Sequence, residues 1–187
     1  MKKYSFTGLT ELWCGITLYQ IRAEISFGTV IKGDIGGYIK KEENLGHDGN
    51  AWVFGNARVY GNARVYGDAW VRGNAQVYGD ARVFGDAWVR GDALVSGNAR
   101  VFGNAQVSGD ARVFSNEQLY WISKIGSRND TTTFFNSKFG IEVSCGCFFG
   151  TLMQFSEAVE KTHGDNKHGK AYKLAIEIAK LKLGDLE

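Results

Sequence analysis

Residues 49–114 read GNAWVF GNARVY GNARVY GDAWVR GNAQVY GDARVF GDAWVR GDALVS GNARVF GNAQVS GDARVF, eleven uninterrupted copies of the hexad Gly-Asn/Asp-Ala-x-Val-z. A frayed twelfth copy follows at residues 115–120. A repeat this short cannot bury its own apolar residues, so successive copies must stack on one another. The repeat therefore decides the architecture of the middle of the chain.

Within each hexad, small or apolar residues alternate with variable ones, as in Ala57-x-Val59. A period of two is typical of a strand that buries one face. The Gly-Asn/Asp pair between strands is turn chemistry, because glycine adopts positive φ freely and Asn or Asp tolerates it next best. Short strands separated by equivalent corners predict a coil whose turns stack as parallel β-sheets.

The variable positions indicate how many hexads make one coil. If three hexads complete a turn, residues eighteen apart stack, and similar side chains then fall into columns. The position after Ala gives the columns Trp52, Trp70, Trp88 and Arg64, Arg82, Arg100. The position after Val gives the columns Tyr66, Phe84, Phe102 and Phe54, Arg72, Arg90. Coils of twelve or twenty-four residues would scramble the Trp and Arg columns, so we predict three walls with rungs about 4.8 Å apart.

Composition excludes several classes of protein. The formal net charge is +2, and the eleven repeats carry seven Arg against five Asp, which argues against a DNA-mimicking polyanion and against a binder of double-stranded nucleic acid. No stretch resembles a signal peptide or a membrane span. Three cysteines in 187 residues favour a reducing compartment, so we expect a cytoplasmic protein without membrane partners.

Two flanking segments differ from the repeat. Residues 1–48 are interpreted as an N-terminal β cap over the first coil. An open end of the coil exposes backbone groups and apolar rungs that must be covered. In residues 121–187, runs at 131–136 and 141–149 predict a hairpin. A capping box at Thr151 and an apolar pattern over 166–183 predict two helices. We therefore divide the chain into a cap, a repeat region over 49–120 and a small C-terminal α+β module of ββαα order.

The hexad resembles the repeat signature of left-handed parallel β-helices, the fold of many acyltransferases, and this resemblance implies a left-handed coil. Nearly the whole chain resembles a family of proteins encoded by phages and prophages. The shared motifs are Gly36-Gly37-Tyr38-Ile39, Glu42-Glu43-Asn44-Leu45, the repeats, Cys145-Gly-Cys-Phe148, Gly150-Thr-Leu152, His163-Gly-Asp165 and the helix holding Ala171 and Ala175. The resemblance implies a phage source, and a host bacterial cytoplasm, without implying a reaction.

Acyl transfer is the first enzymatic hypothesis, because enzymes with this fold resemble one another in using a histidine as general base. No histidine lies between residues 49 and 120, and no loop interrupts a hexad; His47 precedes the coil. Since fold alone does not establish function, we predict a protein that is not an enzyme and needs no cofactor. A zinc site built from Cys145, Cys147, His163 and His168 is an alternative, although alternation places both cysteines on the buried face of a strand.

Alternation also directs the Trp and Arg columns outward. Aligned exposed tryptophans predict either a homotrimer seam or a docking surface for a host protein. The Arg column is either neutralised by Asp68, Asp80 and Asp86 or forms an anion-binding strip, with the ring column as a stacking platform. Together these features predict a non-catalytic phage accessory protein that acts against host defence by binding an effector protein or sequestering a nucleotide. The alternatives are a hexapeptide-repeat acyltransferase and a structural virion or assembly protein.

Overall fold

A computed structural model describes residues 2–184; the last three residues of the predicted C-terminal module lie outside this range. The repeat region forms a β-solenoid in which every complete hexad contributes one two-residue strand. These eleven strands are β4 (Trp52–Val53), β5 (Arg58–Val59), β6 (Arg64–Val65), β7 (Trp70–Val71), β8 (Gln76–Val77), β9 (Arg82–Val83), β10 (Trp88–Val89), β11 (Leu94–Val95), β12 (Arg100–Val101), β13 (Gln106–Val107) and β14 (Arg112–Val113).

Strand pairing confirms three hexads per coil. Trp70 pairs in parallel with Trp52 below it and with Trp88 above it, and Arg82 pairs likewise with Arg64 and Arg100. We name the sheet β4-β7-β10-β13 the Trp wall and the sheet β6-β9-β12 the Arg wall. The third wall contains β5, β8, β11 and β14.

The interior of the solenoid consists of the Ala and Val of each hexad, all fully buried. Backbone groups that the short strands leave free are bonded to the next coil, as when Asp68 N–H donates to the Gly85 carbonyl at 2.9 Å. Gly85 has φ +69°, and a Cβ there would lie 3.0 Å from the Gly103 nitrogen. Glycine at this corner therefore permits both the positive-φ backbone conformation and the close stacking of coils.

The N-terminal segment covers the lower end of the solenoid. It contains β1 (Tyr4–Trp13), β2 (Ile16–Ala23) and β3 (Ile35–Ile39), and these strands extend the third wall in the order β1-β2-β3-β5. The chain then passes under the Arg wall, where Leu45 pairs with Val65. Ile39 and Leu45 thus replace the valines that a preceding coil would supply, and both are buried.

Asn44 closes the lowest corner of the solenoid with hydrogen bonds in both directions. Its side-chain amide donates to the carbonyls of Ala63 at 2.8 Å and Gly61 at 3.3 Å. Its Oδ1 accepts from the backbone N–H groups of Lys41 and Lys40. Asn44 is completely buried, so water cannot replace these partners.

We expect Asn44→Ala to lower the free energy of unfolding by about 2–4 kcal/mol, because it removes the hydrogen-bond partner of the buried Ala63 carbonyl and those of the partly buried Gly61 carbonyl and Lys41 N–H. Chemical denaturation monitored by tryptophan fluorescence measures this loss. Asn56→Ala is the matched control, since Asn56 is exposed and, within residues 2–184, its side chain hydrogen-bonds only Asn74 across a corner, at 3.4 Å. A loss no greater than that of Asn56→Ala would contradict the closing role of Asn44.

Lys3 is a buried cation beneath the first coil. Its Nζ donates to the carbonyls of Ala51 at 2.9 Å and Gly49 at 3.3 Å, and it lies 4.8 Å from the centroid of the Phe27 ring. Burial lowers the pKa of Lys3 from 10.5 to about 8, partly opposed by the negative charges of Asp48 and Asp68. A neutral amine can still donate both hydrogen bonds, so loss of the proton removes the cost of burying charge and preserves the contacts.

The free energy of unfolding is therefore expected to rise as pH increases from about 8 to 10.5, because the unfolded chain binds a proton that the folded chain has released. The expected rise is about 2–3 kcal/mol, and Lys3→Met should remove it. Urea denaturation of both proteins at several pH values measures the difference. Parallel pH curves for Lys3→Met and wild type would contradict this explanation.

The C-terminal module contains a four-stranded antiparallel sheet and two helices. Its elements are β15 (Leu119–Ile125), β16 (Asp130–Ser137), β17 (Gly140–Cys145), β18 (Phe148–Thr151), α1 (Leu152–His163) and α2 (Lys167–Leu183). The two helices and the Thr151 capping box agree with the sequence prediction. Tyr172, Ala175, Ile176 and Ala179 are buried, which agrees with the apolar pattern over 166–183.

The predicted single strand over 141–149 is wrong. A turn at Gly146 and Cys147 divides it into β17 and β18, because Gly146 adopts φ +58° and reverses the chain. The sheet also gains β15, which begins one residue before the end of the predicted last hexad. The interpretation that Cys145 and Cys147 share one strand face fails for the same reason. Cys145 is half-buried, whereas Cys147 is exposed in the turn.

Strand β16 joins the module to the top of the solenoid. The Gln106 N–H donates to the Thr133 hydroxyl at 3.0 Å, and Ala111 forms a bridge with Ser137. Phe135 is completely buried with the solenoid core, and Lys138 forms an ion pair with Asp110 at 2.8 Å. Both ends of the solenoid are therefore covered, and its side walls are the surfaces that can face solvent.

Candidate functional site

The Arg wall presents a vertical strip of guanidinium groups. Arg64, Arg82 and Arg100 are exposed and paired in register, one on each successive coil. Within residues 2–184, no carboxylate lies within ion-pair distance of any of the three. Like charges one rung apart repel by roughly 1 kcal/mol or less per neighbour in water. The three guanidinium groups of the strip thus have no direct ion-pair partner among the described residues.

Of the two alternatives for this strip, direct pairing with aspartates is not seen among residues 2–184. Asp68 Oδ1 accepts a hydrogen bond from the Asn50 side chain at 2.7 Å, and Asp80 Oδ1 accepts one from Asn62 at 3.2 Å. Asp86 forms no ion pair within the described part of the chain. The Asn/Asp position lies at the corner of each hexad, and at these two corners the carboxylate bonds the equivalent residue of the preceding coil rather than an arginine on the wall.

The rings beside the Arg strip stack on one another along the wall. Tyr66 and Phe84 lie 5.0 Å apart and 2° from parallel, and Phe84 and Phe102 lie 5.1 Å apart and 6° from parallel. Trp121 adds its edge to the column above Phe102, at 4.6 Å. Both faces of Phe84 are therefore covered by neighbouring rings, so a nucleotide base cannot stack there. Ring edges carry positive partial charge, which favours anions beside the guanidinium groups.

A shallow depression of about 250 Å³ lies at the lower end of the strip. Arg64, Arg82 and Tyr66 line it, together with Glu43 and Gly46 from the N-terminal segment. Glu43 supplies a negative charge at this end, whereas Arg100 lies farther up the wall and does not line the depression. The most favourable position for an anion is therefore along the strip above Glu43.

The Trp wall differs from its prediction in one member. Trp52 was expected to be exposed, but only 1% of its surface is accessible. The N-terminal segment covers it with Phe27, whose ring lies edge-on at 5.4 Å, and with Tyr4 at 6.2 Å. The cap therefore covers Trp52, which cannot contact a partner. Sequence periodicity could not reveal this, because no pattern indicates which wall the cap covers.

Trp70 and Trp88 keep the predicted outward column. Their rings stack at 5.2 Å and 5° from parallel, and both side chains are half-buried. The Arg72 guanidinium lies 5.3 Å from the Trp88 ring centroid, a cation–π arrangement. Burial, and secondarily the charge of Arg72, lowers the pKa of Arg90. This wall therefore combines an aromatic pair with two neighbouring cations.

The third wall is partly covered by the β1–β2 hairpin. Glu11 accepts from Arg58 Nη2 at 2.6 Å, and the Arg58 guanidinium lies 3.9 Å from the centroid of the Trp13 ring. Trp13 also donates its indole N–H to Gln76 at 3.2 Å. No residue spacing in the sequence predicts this contact. The arginine at the start of this wall is neutralised, in contrast to those of the Arg wall.

The histidines and cysteines considered for catalysis or metal binding make packing contacts and hydrogen bonds, and Cys145, Cys147 and His163 line one cavity of the C-terminal module. His47 stacks on Tyr4 at 4.5 Å, and its Nδ1 accepts the Lys3 backbone N–H at 3.3 Å. The Thr132 hydroxyl donates to Cys145 Sγ at 3.1 Å. The rings of His163 and His168 lie 5.9 Å apart. Across residues 2–184, no three His, Cys, Asp or Glu side chains are placed to hold one metal ion, so the alternative zinc set is not assembled.

Comparison with known proteins supports the repeat assignment. The model of the YdcK Beta solenoid repeat matches residues 57–73, 75–91 and 93–109, and successive matches begin eighteen residues apart. This spacing agrees with the coil length given by strand pairing. The matched ranges cover less than half of the chain, so the similarity concerns the repeat alone. No curated protein matches the chain. Neither helix within residues 2–184 is long and apolar enough to cross a membrane.

Proposed function

We propose that this is a non-catalytic binding protein whose Arg wall binds a ligand carrying several negative charges in a row. The observation that carries the proposal is the strip of Arg64, Arg82 and Arg100, exposed and without a carboxylate partner within residues 2–184. An unneutralised row of charges costs stability, and a bound anion would offset that cost. Guanidinium groups also suit phosphate oxygens in both charge and geometry.

The ligand chemistry that best fits the strip is a chain of phosphates, as in a nucleotide polyphosphate or an oligonucleotide backbone. The closed ring column supports this choice over base stacking, since Phe84 offers no free face. Edges of Tyr66, Phe84 and Phe102 beside the guanidinium groups add weak attraction for anionic oxygens. Binding would then depend on charge number and spacing more than on the identity of a base.

The half-buried Trp70–Trp88 pair supports a second part of the proposal, assembly of the solenoid as a homotrimer. Aligned aromatic rings are common anchors of protein interfaces. Arg72 and Arg90 at the edge of the pair would then lie near the rim of the seam. This leaves the Arg wall of each copy as the surface for the ligand.

The resemblance to phage-encoded proteins supplies the biological setting of the proposal. In an infected bacterium, a rigid protein that sequesters a phosphate-bearing signal, or occludes the effector that recognises it, would act against host defence. A binding protein needs no general base, which is consistent with the structural contacts of His47. Turnover of acetyl-CoA by the purified protein would contradict the non-catalytic assignment.

Native mass spectrometry of protein purified from bacteria tests both parts of the proposal. We expect a trimer that retains a small phosphate-bearing molecule, and we expect Arg82→Asp to lose that molecule while remaining trimeric. A monomer would contradict the Trp seam. A trimer that arrives without any ligand and gains none when incubated with tripolyphosphate would contradict the anion-binding role.

A further inference from the structure

A cavity of about 320 Å³ lies in the C-terminal module, on elements that do not contribute to the solenoid walls. It is bounded by the turn between β15 and β16, the turn between β17 and β18, and residues of α1 and α2. Pockets for small metabolites typically measure about 300–1,000 Å³ and are mostly apolar with a few polar groups. The cavity is therefore of a size suited to a small molecule.

The wall of the cavity is aromatic and held by packing. Phe155 lies edge-on to Tyr172 at 5.4 Å and contacts Phe148 at 5.1 Å. Val159 on α1 also lines it, and Phe155, Val159 and Tyr172 are buried members of the module core. A hydrophobic surface built from core residues is already formed before any ligand arrives, so binding requires little reorganisation.

Two charges of opposite sign also line this cavity. Arg128 and Asp130 both belong to the β15–β16 turn region, both are exposed, and neither takes part in an ion pair within residues 2–184. Arg128 Nη1 lies 4.0 Å from Cys147 Sγ, against the neighbouring turn. Among residues 2–184, the one hydrogen bond that Asp130 Oδ1 accepts comes from the Thr131 N–H, at 2.7 Å. A cation and an anion thus stand beside the same apolar surface without neutralising each other.

We propose that this cavity binds a free α-amino acid with an aromatic or large aliphatic side chain. Arg128 receives the carboxylate, Asp130 receives the ammonium group, and the side chain packs against Phe148 and Phe155. Such a zwitterion satisfies both charges at once, whereas a simple carboxylic acid or amine satisfies one of them. Charge-assisted hydrogen bonds of this kind are the stronger ones in proteins, so both charges contribute to selectivity.

Calorimetric titration of the full-length protein with L-phenylalanine tests this proposal, with 3-phenylpropionate and phenethylamine as analogues that each lack one charge. We expect saturable binding of L-phenylalanine, and we expect each analogue to bind with an affinity lower by a factor of about ten or more. Absence of saturable binding at millimolar L-phenylalanine would overturn the proposal. Equal affinity for all three compounds would also overturn it, since neither the carboxylate nor the ammonium group would then contribute to binding.

Two conservative variants then assign each charge to its group. Arg128→Gln should bind L-phenylalanine about tenfold more weakly than the wild type does. This variant should also bind L-phenylalanine no better than it binds phenethylamine. Asp130→Asn keeps the acceptor for Thr131 and should bind L-phenylalanine no better than 3-phenylpropionate. Arg112→Gln, which removes an exposed arginine from the third wall, is the matched control and should bind like wild type. Wild-type selectivity in both Arg128→Gln and Asp130→Asn would place the amino acid elsewhere.

Discussion

Val83→Asp is expected to abolish cooperative folding of the solenoid. Val83 is completely buried and stacks between Val65 below and Val101 above, so a carboxylate there would have no water and no partner. Burying an unpaired charge in a packed interior costs about 4 kcal/mol or more, a large fraction of the stability of a domain. Circular dichroism and urea denaturation of purified Val83→Asp measure the effect.

The adjacent position supplies the control for this prediction. Arg82 and Val83 are neighbours on the same two-residue strand, yet Arg82 is exposed and Val83 is buried. The same change at the outward position, Arg82→Asp, should therefore preserve the fold. It also relieves the repulsion from Arg64 and Arg100, so the melting temperature should not fall. Comparable losses of stability in the two variants would contradict the assigned strand orientation.

Arg82→Asp is also expected to weaken binding of tripolyphosphate by about 100-fold at low ionic strength. The change removes one charge-assisted contact of about 1.5 kcal/mol and replaces it with a repulsion of similar size. Arg82 is the central member of the strip, so its reversal affects a ligand bound along either half. Titration calorimetry with tripolyphosphate measures the loss.

Arg112→Asp is the matched control for the charge reversal, since it changes the net charge equally at an exposed arginine of the third wall. We expect its affinity for tripolyphosphate to stay within about threefold of wild type, because screened long-range effects are small. If the two reversals weaken binding equally, the ligand responds to net charge alone and the strip has no special role.

The sequence predicted the solenoid well because its repeat is local and regular. Each hexad carries its own inward pair and its own corner, so the eighteen-residue coil followed from the columns of Trp and Arg alone. The helices α1 and α2 were also predictable, since Thr151, Gly164 and Gly184 mark their ends by local capping chemistry. Features set by neighbouring residues in the chain were thus accessible.

Features set by contacts between distant segments were not predictable. Trp52 has the same hexad position as Trp70, and only the arrival of Phe27 and Tyr4 buries it. The hairpin that places Trp13 over Arg58 joins residues far apart in the chain. Gly146 was overlooked as a turn because the residues on both sides continue an apolar alternation. Each of these features depends on tertiary contacts, which local sequence patterns do not specify.

The candidate site was predictable in its residues and only partly in its chemistry. The Arg column was predicted correctly, and the sequence left open whether the aspartates would neutralise it. Asp68 and Asp80 bond corner asparagines, and no carboxylate within residues 2–184 forms an ion pair with the three arginines. The ring column was assigned to base stacking because its spacing was known and its ring orientation was not. Parallel rings at 5.0 Å leave no room for a base between them.

Titration of tripolyphosphate into the wild-type protein at low and at physiological ionic strength tests the anion-binding role of the Arg wall most directly. We predict saturable binding that weakens as salt rises, and its loss when Arg64, Arg82 and Arg100 are all replaced by Gln. Binding of equal strength in that triple variant, or none to the wild type at low salt, would contradict it.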